Sequence, residues 1–167
     1  TTFHGGQFYL FLPPGTYDVY LTAPNNLWTV CSDTIFGLVA PNTGGLDTLN
    51  FAAQPAYACP RMTVDLSTAF LRRCFSSSYA VYYCNQGTVV AEDVSIDVTF
   101  DSFLDIQSAS IPWSSVNGNT YTFNVGDVQP GYCDRIDVSL IVSCDADLGQ
   151  THCSVAHIYP DSLCGPA

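Results

Sequence analysis

The chain has 167 residues, 47% of them hydrophobic, so it can bury a core and lacks the composition of a disordered segment. It carries 15 acids against four basic side chains, all arginine, for a formal charge of −11. That balance excludes nucleic acid and an anionic membrane surface as partners, because both are bound mainly through clustered Lys and Arg. No run of about 18 apolar residues is present to cross a bilayer, and with no leader at its start the chain reads as a mature protein or a fragment of one.

Taken in order, the first elements are strand-like. Phe8, Leu10 and Leu12 alternate with Gln7, Tyr9 and Phe11; Pro13-Pro14-Gly15 breaks the run; Tyr17, Val19 and Leu21 then alternate with Asp18, Tyr20 and Thr22. This spacing predicts strands over 7–12 and 17–22, with further ones over 27–31 and 46–52. Four strands are too few to close a sandwich, and the sequence reads as entering a domain midway.

The division is placed near Gln54-Pro55-Ala56, giving a partial β module over 1–54 and a fuller domain over 55–167. In the second part the period of two recurs over 62–66, 79–83, 94–100, 121–125, 136–142 and 155–159, with Asn117-Gly118 as a tight-turn signal. No amphipathic helix is legible beyond one turn over Asp65 to Arg73. About seven short strands in roughly 100 residues predict an all-β fold, an immunoglobulin-like β-sandwich preceded by a partial β-sandwich module.

Eight cysteines stand at Cys31, Cys59, Cys74, Cys84, Cys133, Cys144, Cys153 and Cys164, with no C-x-x-C pair of the kind zinc ribbons and redox motifs use. An even count without metal spacing predicts disulfides throughout and an oxidising compartment. Cys74 with Cys84 and Cys144 with Cys153 suggest themselves as local pairs, each flanking a hairpin-like stretch, although spacing cannot choose among 105 pairings.

Chemistry is sparse. His152 and His157 fall on opposite faces of one probable strand, and Cys153 beside His152 reads as a disulfide cysteine, since neighbouring strand residues diverge. No nucleophile elbow, metalloprotease helix or phosphate loop occurs, so no catalytic residue and no resident cofactor is assigned. Asp145 and Asp147, in CDADLGQ, are the candidates for a Ca²⁺ loop, with Asp134 or Asp137 as further ligands; the competing reading is a plain turn. Tyr9, Phe11, Tyr79, Tyr82 and Tyr83 place aromatics on both faces of their strands, which suits a neighbouring domain, a second copy or a surface glycan.

Two stretches carry resemblances. GGQFYLFLPPGTYDVYL followed by NNLWTVC resembles the carboxypeptidase-regulatory or Cna-B-like surface modules. Some of these are crosslinked by a Lys–Asn bond, which a chain without lysine cannot form. LRRCFSSSYAVYYCNQGTVVAEDVSIDVTFD, YTFNVGDVQPGYC and LGQTHCSVAHIYPDSLC resemble the Cys-rich, DUF11-related repeat domains of large secreted proteins of Bacteroidota, Saprospira-like bacteria especially. Together they imply a glycoprotein module of the extracellular cell surface, structural or adhesive, without catalysis. They also imply O-glycosylation at Asp-Ser/Thr, for which Thr34, Thr48 and Ser162 fit.

Overall fold

The computed structural model describes residues 7–31, 34–42, 45 and 47–161. These residues form strands and loops without a helix, and the chain divides into two compact units, Thr1–Ala58 and Cys59–Ala167. The division falls a few residues after the predicted one, because Gln54 and Pro55 belong to a strand of the first unit, where they pair with Thr29 and Trp28.

The first unit holds two separate antiparallel pairs. β1 (Gly15–Tyr20) pairs with β3 (Thr34–Ala40), and β2 (Trp28–Val30) pairs with β4 (Ala53–Pro55). A bulge between Tyr17 and Val19 is fixed by the Asp18 carboxylate, which accepts the Gly37 N–H at 2.9 Å where Gly37 takes a φ of 66°. The strand predicted over 7–12 does not form: its apolar alternation finds no partner strand among the described residues, and Tyr9, Leu10 and Phe11 are left exposed. The stretch 47–52 is likewise irregular, with pairing starting only at Ala53. Leu27 alone is fully buried among the unit's described hydrophobics.

The second unit is a disulfide-stabilised β-sandwich. One sheet runs in the order β5 (Met62–Thr68), β6 (Ser76–Asn85), β11 (Cys133–Val142), β8 (Leu104–Ala109). The other runs β12 (Val155–Tyr159), β7 (Ala91–Thr99), β10 (Thr120–Val128), β9 (Ser115–Asn117). Every predicted strand of this part forms. β8 and the three-residue β9 are additional, and the turn of helix expected over 65–73 is instead the end of β5 and a loop. Successive strands β6–β7, β7–β8, β10–β11 and β11–β12 cross between the sheets, so side chains from both meet in one core around Val81, Ile96, Val98, Phe123, Ile136 and Val138. Edge-to-face rings continue that core as a line from Tyr79 through Phe100 and Tyr121 to Trp113, at centroid spacings of 5.6, 5.7 and 5.3 Å.

Among the described residues Asn85 is the one polar residue buried as a whole, with no exposed surface. Its Oδ1 accepts the N–H groups of Gly87 (2.9 Å) and Arg61 (3.2 Å), and its Nδ2 donates to the carbonyls of Val89 and Val128, both at 2.9 Å. Its own backbone bonds Tyr132 C=O and Gly131 N–H. Two residues on, a Cβ on Gly87 would lie 2.3 Å from Cys59 O and 2.4 Å from Arg61 N, so no other residue fits against the start of β5. Thr88 then hydrogen-bonds Cys59 through its backbone N–H and its hydroxyl. The N-x-G-T sequence is thereby explained as a structural knot.

Both expected local cysteine pairs are corrected. Cys84 bonds Cys133, its direct partner across the β6–β11 ladder, and Cys74 bonds Cys144 just beyond the opposite end of the same two strands. Cys74 and Cys84 stand at opposite ends of the ten-residue β6, roughly 30 Å apart at strand rise, which rules out a bond between them. Cys59 is also disulfide-bonded.

Two stability outcomes follow. Asn85→Ala strands two buried donors and two buried carbonyls, and is expected to cost about 3 kcal/mol or more in urea unfolding. With Cys84–Cys133 in place, Cys74–Cys144 closes a residual loop of 21 residues, the difference between sequence separations of 70 and 49. A Cys74→Ala/Cys144→Ala variant should therefore lose about 3 kcal/mol on the chain-entropy estimate; an unchanged unfolding midpoint would contradict it.

Candidate functional site

The strongest candidate surface lies in the first unit. Two two-stranded pairs leave four strand edges unpaired among the described residues, and a two-stranded unit is at best marginally stable in water. Its large apolar side chains face outward: Phe11 is 97% exposed, Phe36 77%, Tyr20 69% and Val39 67%. Tyr20 lies on β1, Phe36 and Val39 on the paired β3. The short stretch before β1 is held by the Tyr17 hydroxyl, which donates to Pro13 C=O at 2.9 Å, and by the ring contact of Phe8 with Phe51. What this arrangement offers is apolar area and backbone donors and acceptors, the two requirements of strand addition.

The predicted site residues scatter. Cys31, at the end of β2, and Cys153, just before β12, are exposed free thiols and so depart from the all-disulfide expectation. Cys164 lies outside the described residues. The corrected pairing is absent from local spacing because both bonds join residues brought together by β6–β11 register, across separations of 49 and 70 residues.

Asp145 and Asp147 sit in the turn after β11, where the Asp145 N–H donates to Ser143 Oγ and the Asp147 N–H to Gln150 Oε1. Asp134 and Asp137 stand apart from them on β11, eight and five residues before its end at Val142, roughly 15–25 Å at strand rise. Asp134 instead accepts the Tyr132 hydroxyl, and Asp137 pairs with Arg135 at 2.9 Å. Among the described residues no group of three His, Cys, Asp or Glu side chains is placed to hold a metal ion.

For the glycosylation candidates, Thr34 opens β3 opposite Tyr20 and is half-buried, whereas Thr48 is exposed with its N–H on the Asp47 carboxylate. Ser162 lies outside the described residues. Of the singled-out aromatics, Tyr79 and Tyr83 turn into the sandwich core, while Tyr82 faces outward beneath the Arg135 guanidinium.

His152 precedes β12 instead of sharing it with His157. His157 pairs with Asp161 at the surface, whereas His152, 7% exposed, has Nδ1 3.1 Å from Asp101 Oδ1 and its ring against Phe103. This brace fastens the segment before β12 to the β7–β8 turn. Sequence gave no sign of it, since the partners are 51 residues apart. Burial works to raise the Asp101 carboxyl, but hydrogen bonds from Phe103 N–H, His152 and Cys153 N–H outweigh it and hold the pKa below its ordinary 3.8.

Compared with known proteins, the chain matches no family model and no curated sequence.

A carboxylate depressed in the folded state contributes stability that is in place above its ordinary value and is lost as pH falls through the lower folded one. Asp101→Asn should therefore be destabilising at pH 6, by about 1 kcal/mol from the weakened charge-assisted bonds. The gap from the native chain should close as unfolding is measured at successively lower pH below about 4, where the native carboxylate protonates. A gap independent of pH would show that the carboxylate's charge plays no part.

Proposed function

We propose that the chain is a non-catalytic structural or adhesive module of an extracellular protein, of the cell surface or of a surface filament. The observation that carries this reading is the contrast between its units: a sandwich stapled at both ends of its central ladder, beside a unit whose large apolar side chains face outward over unpaired strand edges. The disulfides fit a non-cytoplasmic compartment, and no described helix is long and apolar enough to cross a membrane. The first unit's surface is of the kind that a neighbouring domain or a second copy covers.

The four open edges favour a second reading, in which the chain is a self-assembling subunit whose first unit is completed by a strand from a neighbouring copy. Such a head-to-tail contact is heterologous and generates an open fibre. A carbohydrate-binding accessory role is the remaining alternative, and a glycan array with hits would favour it over both.

Sedimentation velocity and negative-stain imaging of the full chain test the subunit reading. Concentration-dependent fibres or oligomers are expected, lost on Phe36→Asp or Val39→Asp and retained on Leu148→Asp, which changes an equally exposed residue of the second unit. A monomer at every concentration would sink self-assembly and leave the surface to a neighbouring domain.

A further inference from the structure

A groove of about 520 Å³ opens at one end of the sandwich, between the β8–β9 connection and the β10–β11 turn. Its volume falls within the range of small-ligand sites. Its lining includes Tyr83, Ile111, Pro112 and Tyr132, together with the two acids Asp127 and Asp134. The lining is well held. Ser110 N–H donates to Asp137 C=O and Ser110 Oγ accepts the Asp137 N–H, fixing the chain into Ile111. The β10–β11 turn is tied to the Asn85 knot through Gly131 and Tyr132.

We propose that this groove binds an organic cation, a guanidinium or alkylammonium group, between the tyrosine rings and the two carboxylates. The argument is one of charge and geometry. Three of the four arginines are placed elsewhere: Arg135 on Asp137, Arg72 over the Phe75 ring, and Arg73 on Ala146 C=O. Among the described residues neither Asp127 nor Asp134 is in an ion pair; their described partners are the Asp93 N–H for Asp127, and the Tyr132 hydroxyl and Arg135 N–H for Asp134. These bonds orient the carboxylates without neutralising them. Tyrosine faces attract cations through the ring quadrupole, and low-dielectric groove walls focus the field of the acids. Tyr83 stays a neutral hydroxyl, since burial first, then Asp134 and Tyr132, push its phenol up to about 12. A neutral sugar would use the rings and the hydrogen-bond acceptors and leave both charges uncompensated. All of its lining residues belong to the second unit.

Titration of ¹⁵N-labelled chain followed by NMR tests it, with four probes: Gly-Arg-Gly amide, choline, Gly-citrulline-Gly amide and galactose. Citrulline keeps the shape of arginine and removes the charge. At least one cation is expected to shift the Tyr132 and Asp134 amides with a dissociation constant on the order of millimolar, and the citrulline peptide to bind about tenfold more weakly than the arginine peptide. Preference for Gly-Arg-Gly amide would point to a protein-borne side chain, and preference for choline to a free small cation. Asp134→Asn and Asp127→Asn should each weaken the preferred cation, with Asp145→Asn as the unaffected control. Binding should also fall as salt is raised. Equal binding of the arginine and citrulline peptides with no response to choline, shifts produced by galactose alone, or no shift with any cation would overturn the proposal. The probes act on the native chain, so a variant that fails to fold does not remove the test.

Discussion

The sandwich depends on the hydrogen bonds of one buried amide. Asn85 joins the start of β5, the β6–β7 turn, the end of β10 and the β10–β11 turn through its side chain and backbone. Its two side-chain acceptor sites and two donor hydrogens are all used, so this buried amide carries no unsatisfied polar group. An apolar residue there would leave four backbone groups without partners; a carboxylate would set negative charge against two carbonyl oxygens. Gly87 and Thr88 complete the knot, the first by having no Cβ and the second by bonding Cys59 at both its backbone and hydroxyl. Strand order is thereby specified where the two sheets meet.

The disulfides act on the same element from outside. The β6–β11 ladder runs from Cys84 opposite Cys133 to Ser76 opposite Ile141, and Cys74–Cys144 closes it just beyond. Five fully buried apolar side chains of the core, Val81, Ile136, Val138, Leu140 and Val142, sit on these two strands. Fixing both ends of one long-range pairing removes register slippage, which in a strand would turn every core side chain to solvent. The bonds serve register as well as chain entropy, and among the described residues no disulfide holds the pairs of the first unit, where Cys31 is a free thiol.

How much of this was legible in the sequence varies with the range of the interaction. Alternation over Val94 to Phe100 and Ile136 to Val142 located β7 and β11 because each has a wet face and a core face, the situation period-two reading describes. The same pattern over 7–12 misled, because alternation marks a chain able to be a strand and cannot supply the partner that makes it one. β8 was missed since Leu104-Asp-Ile-Gln-Ser-Ala has a single fully buried position. Cysteine pairing, the His152–Asp101 brace and the groove all join residues far apart in sequence, where local spacing carries no information. The Asn-x-Gly-Thr run stands inside a stretch that carries the second resemblance, but its reason, close approach of Cys59 and Arg61 to Gly87, required the fold.

The proposed role follows from how charge and apolar surface are divided between the units. All four arginines lie in the second unit, and the described residues of the first carry only Asp18 and Asp47 as charged side chains. A surface so poor in charge cannot select a partner by ion pairing. It has apolar area and unpaired backbone to offer, and both favour a strand from another chain over a charged ligand. The second unit is the reverse: its core is complete, its ladder is fixed at both ends, and its acids remain at the surface. One unit is built to hold its shape, and the other has surface that burial against a neighbour would stabilise. That division suits a chain whose work is to be joined to others.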